Sequence, residues 1–155
     1  MPTTDRFRRP KDHEQLLNDL KSEDGPFDSR VDALIFAAAL GRRKNLRDEF
    51  KESGERIRLE LIGDRQYGDV LIYMLAAIEK PDDPEILADD RLDERILIFE
   101  EYANGGLNYL QGELNRSATY DLDVLVSGLV MDALRTYPSE EDEVGELMSD
   151  AGLDW

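Results

Sequence analysis

The sequence predicts a mainly α-helical protein, a compact bundle of about five to six helices with room for one short extended segment near 57–62. Three observations predict it. Apolar residues recur at steps of three and four through Asp93–Asn115. Two more apolar stretches, Val31–Leu40 and Asp69–Glu79, are bounded by residues that start and stop helices. Alternation with a period of two is seen at Ile57, Leu59 and Leu61, and a lone strand there needs a partner or must lie extended across the bundle.

In chain order, residues 1–10 read as a flexible arm, polar apart from Phe7 and carrying Arg6, Arg8 and Arg9. A single helical domain is expected over 11–137, followed by an acidic amphipathic segment at 138–155. His13–Leu20 is a short helix with Leu16, Leu17 and Leu20 inward, and His13 at its polar start is expected to be solvated. After a turn at Gly25-Pro26, Ser29 and Asp32 match a capping box. The helix they open buries Val31, Leu34, Ile35, Ala38 and Ala39, with Phe36 and Leu40 as shoulders. Alanines 37–39 allow a neighbouring helix to come close, and Gly41 suits the position just past a helix end. Asp69–Glu79 reads as a buried helix with Val70, Tyr73, Met74, Ala77 and Ile78 inward, stopped by Pro81 and Pro84.

Asp93–Asn115 is the element around which the rest is organised. Ile96, Phe99, Ala103, Leu107, Leu110 and Leu114 form its stripe, widened by Ile98, Tyr102 and Tyr109, with Glu94, Arg95, Glu100 and Glu101 mostly off it. Gly105 and Gly106 interrupt the helix at about 1 kcal/mol each relative to alanine. Close approach of another helix, or a kink at Asn104-Gly105, offsets that cost. A last helix over Tyr120–Tyr137, capped by Ser117 or Thr119, places Leu122, Leu125, Val126, Leu129, Ala133 and Leu134 on its core face. Its Ser127-Gly128 pair is a seat for the Gly105-Gly106 region.

A net charge of −17, a pI near 4.3, and five lysines against 14 arginines suit a carboxylate-covered surface in concentrated salt. There repulsion is screened to within about 3 Å at 1 M. The expectation is a halophile's cytoplasmic protein. The N-terminus has no apolar core of a secretory signal, and no apolar run approaches the ~20 residues of a membrane span. Without cysteine there is no disulfide framework and no thiolate metal site.

Catalytic patterns fail one by one. The single histidine, His13, lacks the second histidine of HExxH, and a Ser-His-Asp site would rest on a residue near the arm. Pro81-Asp82 is followed by Glu85-Ile86-Leu87, with leucine where a metal-nuclease motif needs lysine. Neither a phosphate-binding GxxxxGK[ST] loop nor GxGxxG is present. The expectation is a non-enzyme with no metal and no cofactor. The candidate partner or DNA contacts are the basic cluster Arg42, Arg43, Lys44 and Arg47, and the bare-backbone segment Asn104, Gly105 and Gly106. The cluster also suits a purely structural role, since cations after a helix end complement its dipole.

FAAALGRRK (Phe36–Lys44), IRLELI (Ile57–Ile62), DVLIYMLAA (Asp69–Ala77) and IFEEYANGGL (Ile98–Leu107) together resemble the Dnd system-associated protein 4 family, small proteins encoded beside DNA phosphorothioation genes. The likeness spans roughly residues 30–137. It implies a non-catalytic accessory protein of a phosphorothioation-linked modification or restriction (defence) system, whose partners are proteins of that system. In such systems sulfur replaces a non-bridging phosphate oxygen of self DNA. Direct DNA contact is the weaker branch, because a −17 body is repelled by phosphate. The alternative is an acidic nucleic-acid mimic that occupies a basic groove of a DNA-binding partner.

Overall fold

The computed structural model describes residues 5–65, 67–117 and 121–136. Among them are six α-helices: α1 (Glu14–Lys21), α2 (Arg30–Arg43), α3 (Glu60–Gly63), α4 (Gly68–Glu79), α5 (Leu92–Arg116) and α6 (Leu122–Thr136). Two-residue strands β1 (Arg6–Phe7) and β2 (Ile57–Arg58) pair antiparallel, Arg6 opposite Arg58 and Phe7 opposite Ile57. The mainly α reading therefore holds, with its short extended segment. The chain divides between Leu122 and Asp123 into two units, where the sequence reading ran one helical domain to residue 137. The acidic 138–155 segment and the Thr119 cap lie outside the described residues.

The arm is not loose from residue 6 onward. Phe7 is fully buried, its ring edge-on to Phe99 at 5.6 Å, and β1 supplies the partner that β2 requires. Burying one phenylalanine stabilises by about 1.5–3 kcal/mol, which outweighs the entropy of fixing a few residues of arm. Only Ile57 and Arg58 are extended, and helix α3 begins at Glu60.

Helix α2 starts as expected, with Ser29 Oγ accepting from the Asp32 backbone N–H at 3.1 Å. It does not stop at Gly41. It runs to Arg43 and closes in a Schellman turn, Leu46 N donating to Gly41 O (2.8 Å) and Asn45 N to Arg42 O (3.1 Å). Asn45, at φ 57°, takes the left-handed position. Gly41 serves a different purpose, since a Cβ there would lie 2.1 Å from the Tyr102 carbonyl oxygen. The inward face is correspondingly rotated: Ala33, Ala37 and Leu40 are buried, Ile35 is half-buried and Ala39 is exposed.

Helix α5 is the centre of the first unit. All six stripe residues are buried, as are Ile98 and Tyr102. Close helix approach, rather than a vacant backbone, accounts for its glycines. A Cβ on Gly106 would lie 1.8 Å from Ala37 O, and one on Gly105 would lie 1.9 Å from Leu46 O. The seat is therefore α2 and the turn after it, not Ser127-Gly128. Leu134, expected on the core face of α6, is exposed.

Candidate functional site

Within the predicted basic cluster, Arg47 is tied into the fold, whereas Arg43 and Lys44 are exposed. Arg47 Nη1 lies 2.7 Å from Glu79 Oε1 on α4, and Arg47 Nη2 lies 2.7 Å from Glu101 Oε1 on α5. Tyr102 donates its hydroxyl to the other oxygen of Glu79, and Arg42 borders the same pair. One guanidinium after α2 thus ties α4 to α5. Partial burial works against its charge, but the bonds to Glu79 and Glu101 outweigh that and hold its pKa above the ordinary value. The Lys44 ammonium sits 4.9 Å over the Tyr109 ring, and Arg43 is exposed at the helix end.

Asn104 is buried, and its Nδ2 donates to Asp48 O at 3.1 Å. Gly105 and Gly106 lie beneath Leu46 and Ala37. The seven residues singled out from the sequence therefore do come together, but around the α2–α5 crossing. There Arg47, Asn104, Gly105 and Gly106 act as internal braces.

Glu100 and Glu101, placed off the stripe by the sequence, are buried. Glu100 receives the Arg8 backbone N–H (2.5 Å) and its guanidinium (Nη2 at 3.0 Å), and Arg8 also donates to Phe50 O. Buried carboxylates are tolerable only when paired and hydrogen-bonded, and both are. His13 is likewise buried, not solvated, its Nε2 2.6 Å from Asn108 Oδ1. Asn108 in turn donates to Asp48. Local sequence carries no signal for these pairings, because Arg8 and Glu100 are separated by 92 residues and Arg47 and Glu101 by 54.

A cleft of about 470 Å³ lies beside His13, Asn104 and Asn108, with Lys11, Lys51 and Glu52 on its rim. Another of about 670 Å³ is lined by Asp5, Arg58, Glu60, Asp64 and Asp69. Neither brings a nucleophile to a base. Among the described residues no three His, Asp or Glu side chains are grouped to hold a metal ion. No described helix is long and apolar enough to cross a membrane.

Helix α4 turns outward the side expected to face in, and α6 likewise exposes Val124, Val130, Met131 and Leu134. Ile72, Leu75 and Ala76 are buried, whereas Val70, Tyr73, Met74 and Ile78 are 49%, 44%, 53% and 44% exposed. Helical spacing places these four on one stripe. Leu87 and Leu97, at 41% and 40%, are exposed on the elements packed beside α4. The outer edge is held in place from within. Arg95, buried at the start of α5, donates to Ile86 O (2.8 Å) and Ala88 O (2.7 Å), and its guanidinium lies 4.9 Å from the Tyr73 ring. Contiguous exposed apolar surface of this kind is the physical mark of a contact surface. The signal was present in the sequence, since α4 is apolar on both sides.

These features define a mainly helical protein whose polar clusters brace the fold and whose α4 presents an exposed apolar face in the first unit. The chain belongs to the DNA sulphur modification system-associated protein 4 family, whose family model matches residues 6–148. That match reaches further at both ends than the resemblance read from the motifs. No curated protein and no solved structure matches the chain.

Proposed function

We propose that this chain is a non-catalytic accessory protein of a DNA sulphur modification system, working in the cytoplasm through contacts with other proteins of that system. Family membership supports the system. The observation that carries the protein-contact reading is the outer face of α4, four large apolar side chains about half exposed on a single helix. A helix apolar all round belongs in an interior, so this one is completed by another molecule. Direct DNA contact is the poorer reading. Arg47 is committed to Glu79 and Glu101, Lys44 lies over Tyr109, and the whole chain carries −17.

The test is co-purification of the tagged full chain, at the salt of its native host, with the other proteins of the sulphur modification system. Recovery of one of them by wild type, and its loss with Val70→Gln plus Met74→Gln, is the expected result. Undiminished recovery with that variant removes α4 from the reading. Repeated recovery of none of them removes the reading itself.

A further inference from the structure

We infer that the outer face of α4 receives a basic amphipathic helix of a partner protein. This rests on the protein-contact reading above and names the chemistry of the occupant. From Val70 to Ile78 the stripe is about 12 Å long at 1.5 Å per residue, which suits a partner helix inserting three anchors at i, i+4 and i+7.

The charge beside the stripe selects the partner's sign. Residues 79–94, which run from the end of α4 into α5, carry eight carboxylates against Lys80 and Arg91. Arg91 is itself engaged by Asp83 and Glu94, at 2.9 and 2.8 Å. Asp82, Glu85, Asp89 and Asp90 are exposed. At the other end of α4, Asp69 is exposed too. An apolar strip with an acidic border is complementary to apolar anchors flanked by Lys or Arg, and unfavourable to an acidic segment.

That border argues against the occupants this chain could itself provide. A second copy brings another −17, and residues 138–155 carry seven acidic residues and no basic one. Both would place like charge against the 79–94 stretch.

The experiment uses the full chain and two synthetic helical peptides of about 14 residues with the same leucine anchors. One has Lys and Arg at its polar positions and the other has Glu. Binding is read by fluorescence anisotropy in about 0.15 M salt, where surface charge still acts over roughly 8 Å. The basic peptide is expected to bind at least about tenfold more tightly than the acidic one. Val70→Gln plus Met74→Gln, which leaves the buried Ile72, Leu75 and Ala76 untouched, is expected to weaken it about tenfold or more with an unchanged thermal melt. Asp82→Asn plus Glu85→Gln is expected to weaken it a few-fold.

Equal affinity for the two peptides, or binding indifferent to the α4 variant, overturns the inference, and so does absence of binding by a folded chain. Light scattering that shows a dimer dispersed by the α4 variant makes the occupant a second copy and overturns it too. These outcomes are separate from the functional reading, which fails only if the system's own proteins do not co-purify.

Discussion

Helices α4 and α5 are both apolar on more than one side, yet their surroundings differ completely. From Ile98 to Leu107 every residue of α5 is buried. Gly105 and Gly106 admit Leu46 and Ala37, Phe7 meets Phe99, and Arg8 and Arg47 neutralise Glu100 and Glu101. Helix α4 buries Ile72, Leu75 and Ala76 against the same core and leaves Val70, Tyr73, Met74 and Ile78 outside. The comparison separates two uses of one kind of sequence. Where neighbours in the chain cover an apolar helix it is structural, and where no described residue does, the uncovered side is available for recognition.

The largest effect expected inside this contrast comes from filling the glycine seam. Gly106→Ala puts a methyl 1.8 Å from Ala37 O, so α2 and α5 must separate. A loss of about 3 kcal/mol or more in a denaturant melt is expected, at the upper end for single substitutions. Gly128→Ala is the counter-case. No described atom lies within 4 Å of the added carbon, and the better helix former is expected to stabilise by up to about 1 kcal/mol. A neutral Gly106→Ala would show that the crossing is looser than its geometry.

Next in size is the brace between the two helices. Arg47→Met removes the cation joining Glu79 to the buried Glu101. Breaking a fully buried pair costs 3–5 kcal/mol, and because Arg47 and Glu79 keep some solvent about 2 kcal/mol is expected by the same melt. No change would mean that the pair is only a surface contact.

The same brace has a pH signature. The Tyr102 hydroxyl, then the Arg47 guanidinium, hold Glu79 below the ordinary glutamate value of 4.5, against the opposing effect of burial. A lowered carboxylate stabilises the fold fully above the unfolded value and loses that contribution as pH falls through the lower folded one. Burial, then the bond to Glu79, push the Tyr102 phenol above its ordinary 10.0. Its contribution is intact below pH 10 and fades as pH rises through the higher folded value. Tyr102→Phe is therefore expected to flatten the stability profile at both extremes, measured as melting temperature against pH. A profile that keeps its shape would detach Tyr102 from Glu79.

The smallest effect on stability is expected on the outer side of α4. Val70→Gln plus Met74→Gln should alter it by less than about 0.5 kcal/mol, since both side chains are about half exposed and glutamine favours the helix. A large loss would mean that the stripe is covered within the folded chain, and the contrast with α5 would collapse.

Much of the fold was legible in the sequence because helix periodicity is a local property. The Ser29 cap, the α1 leucines, the full stripe of α5 and the close packing over Gly105-Gly106 all follow from residues three or four apart or from a missing side chain. The candidate site was less legible. Arg42, Arg43, Lys44 and Arg47 stand out as the densest positive charge in an acidic chain, but charge density does not reveal that Glu79 and Glu101 arrive to take up Arg47.

By itself, then, the sequence determined the helical class, the central helix and its glycine seam, since spacing and side-chain size dictate these within a turn or two. Tertiary structure alone decided that Gly41 lies in a helix crossing instead of ending a helix, and that Phe7 and His13 are interior. It alone chose which side of α4 faces out. A helix apolar on both sides has no preferred inward direction until distant segments pack against one of them.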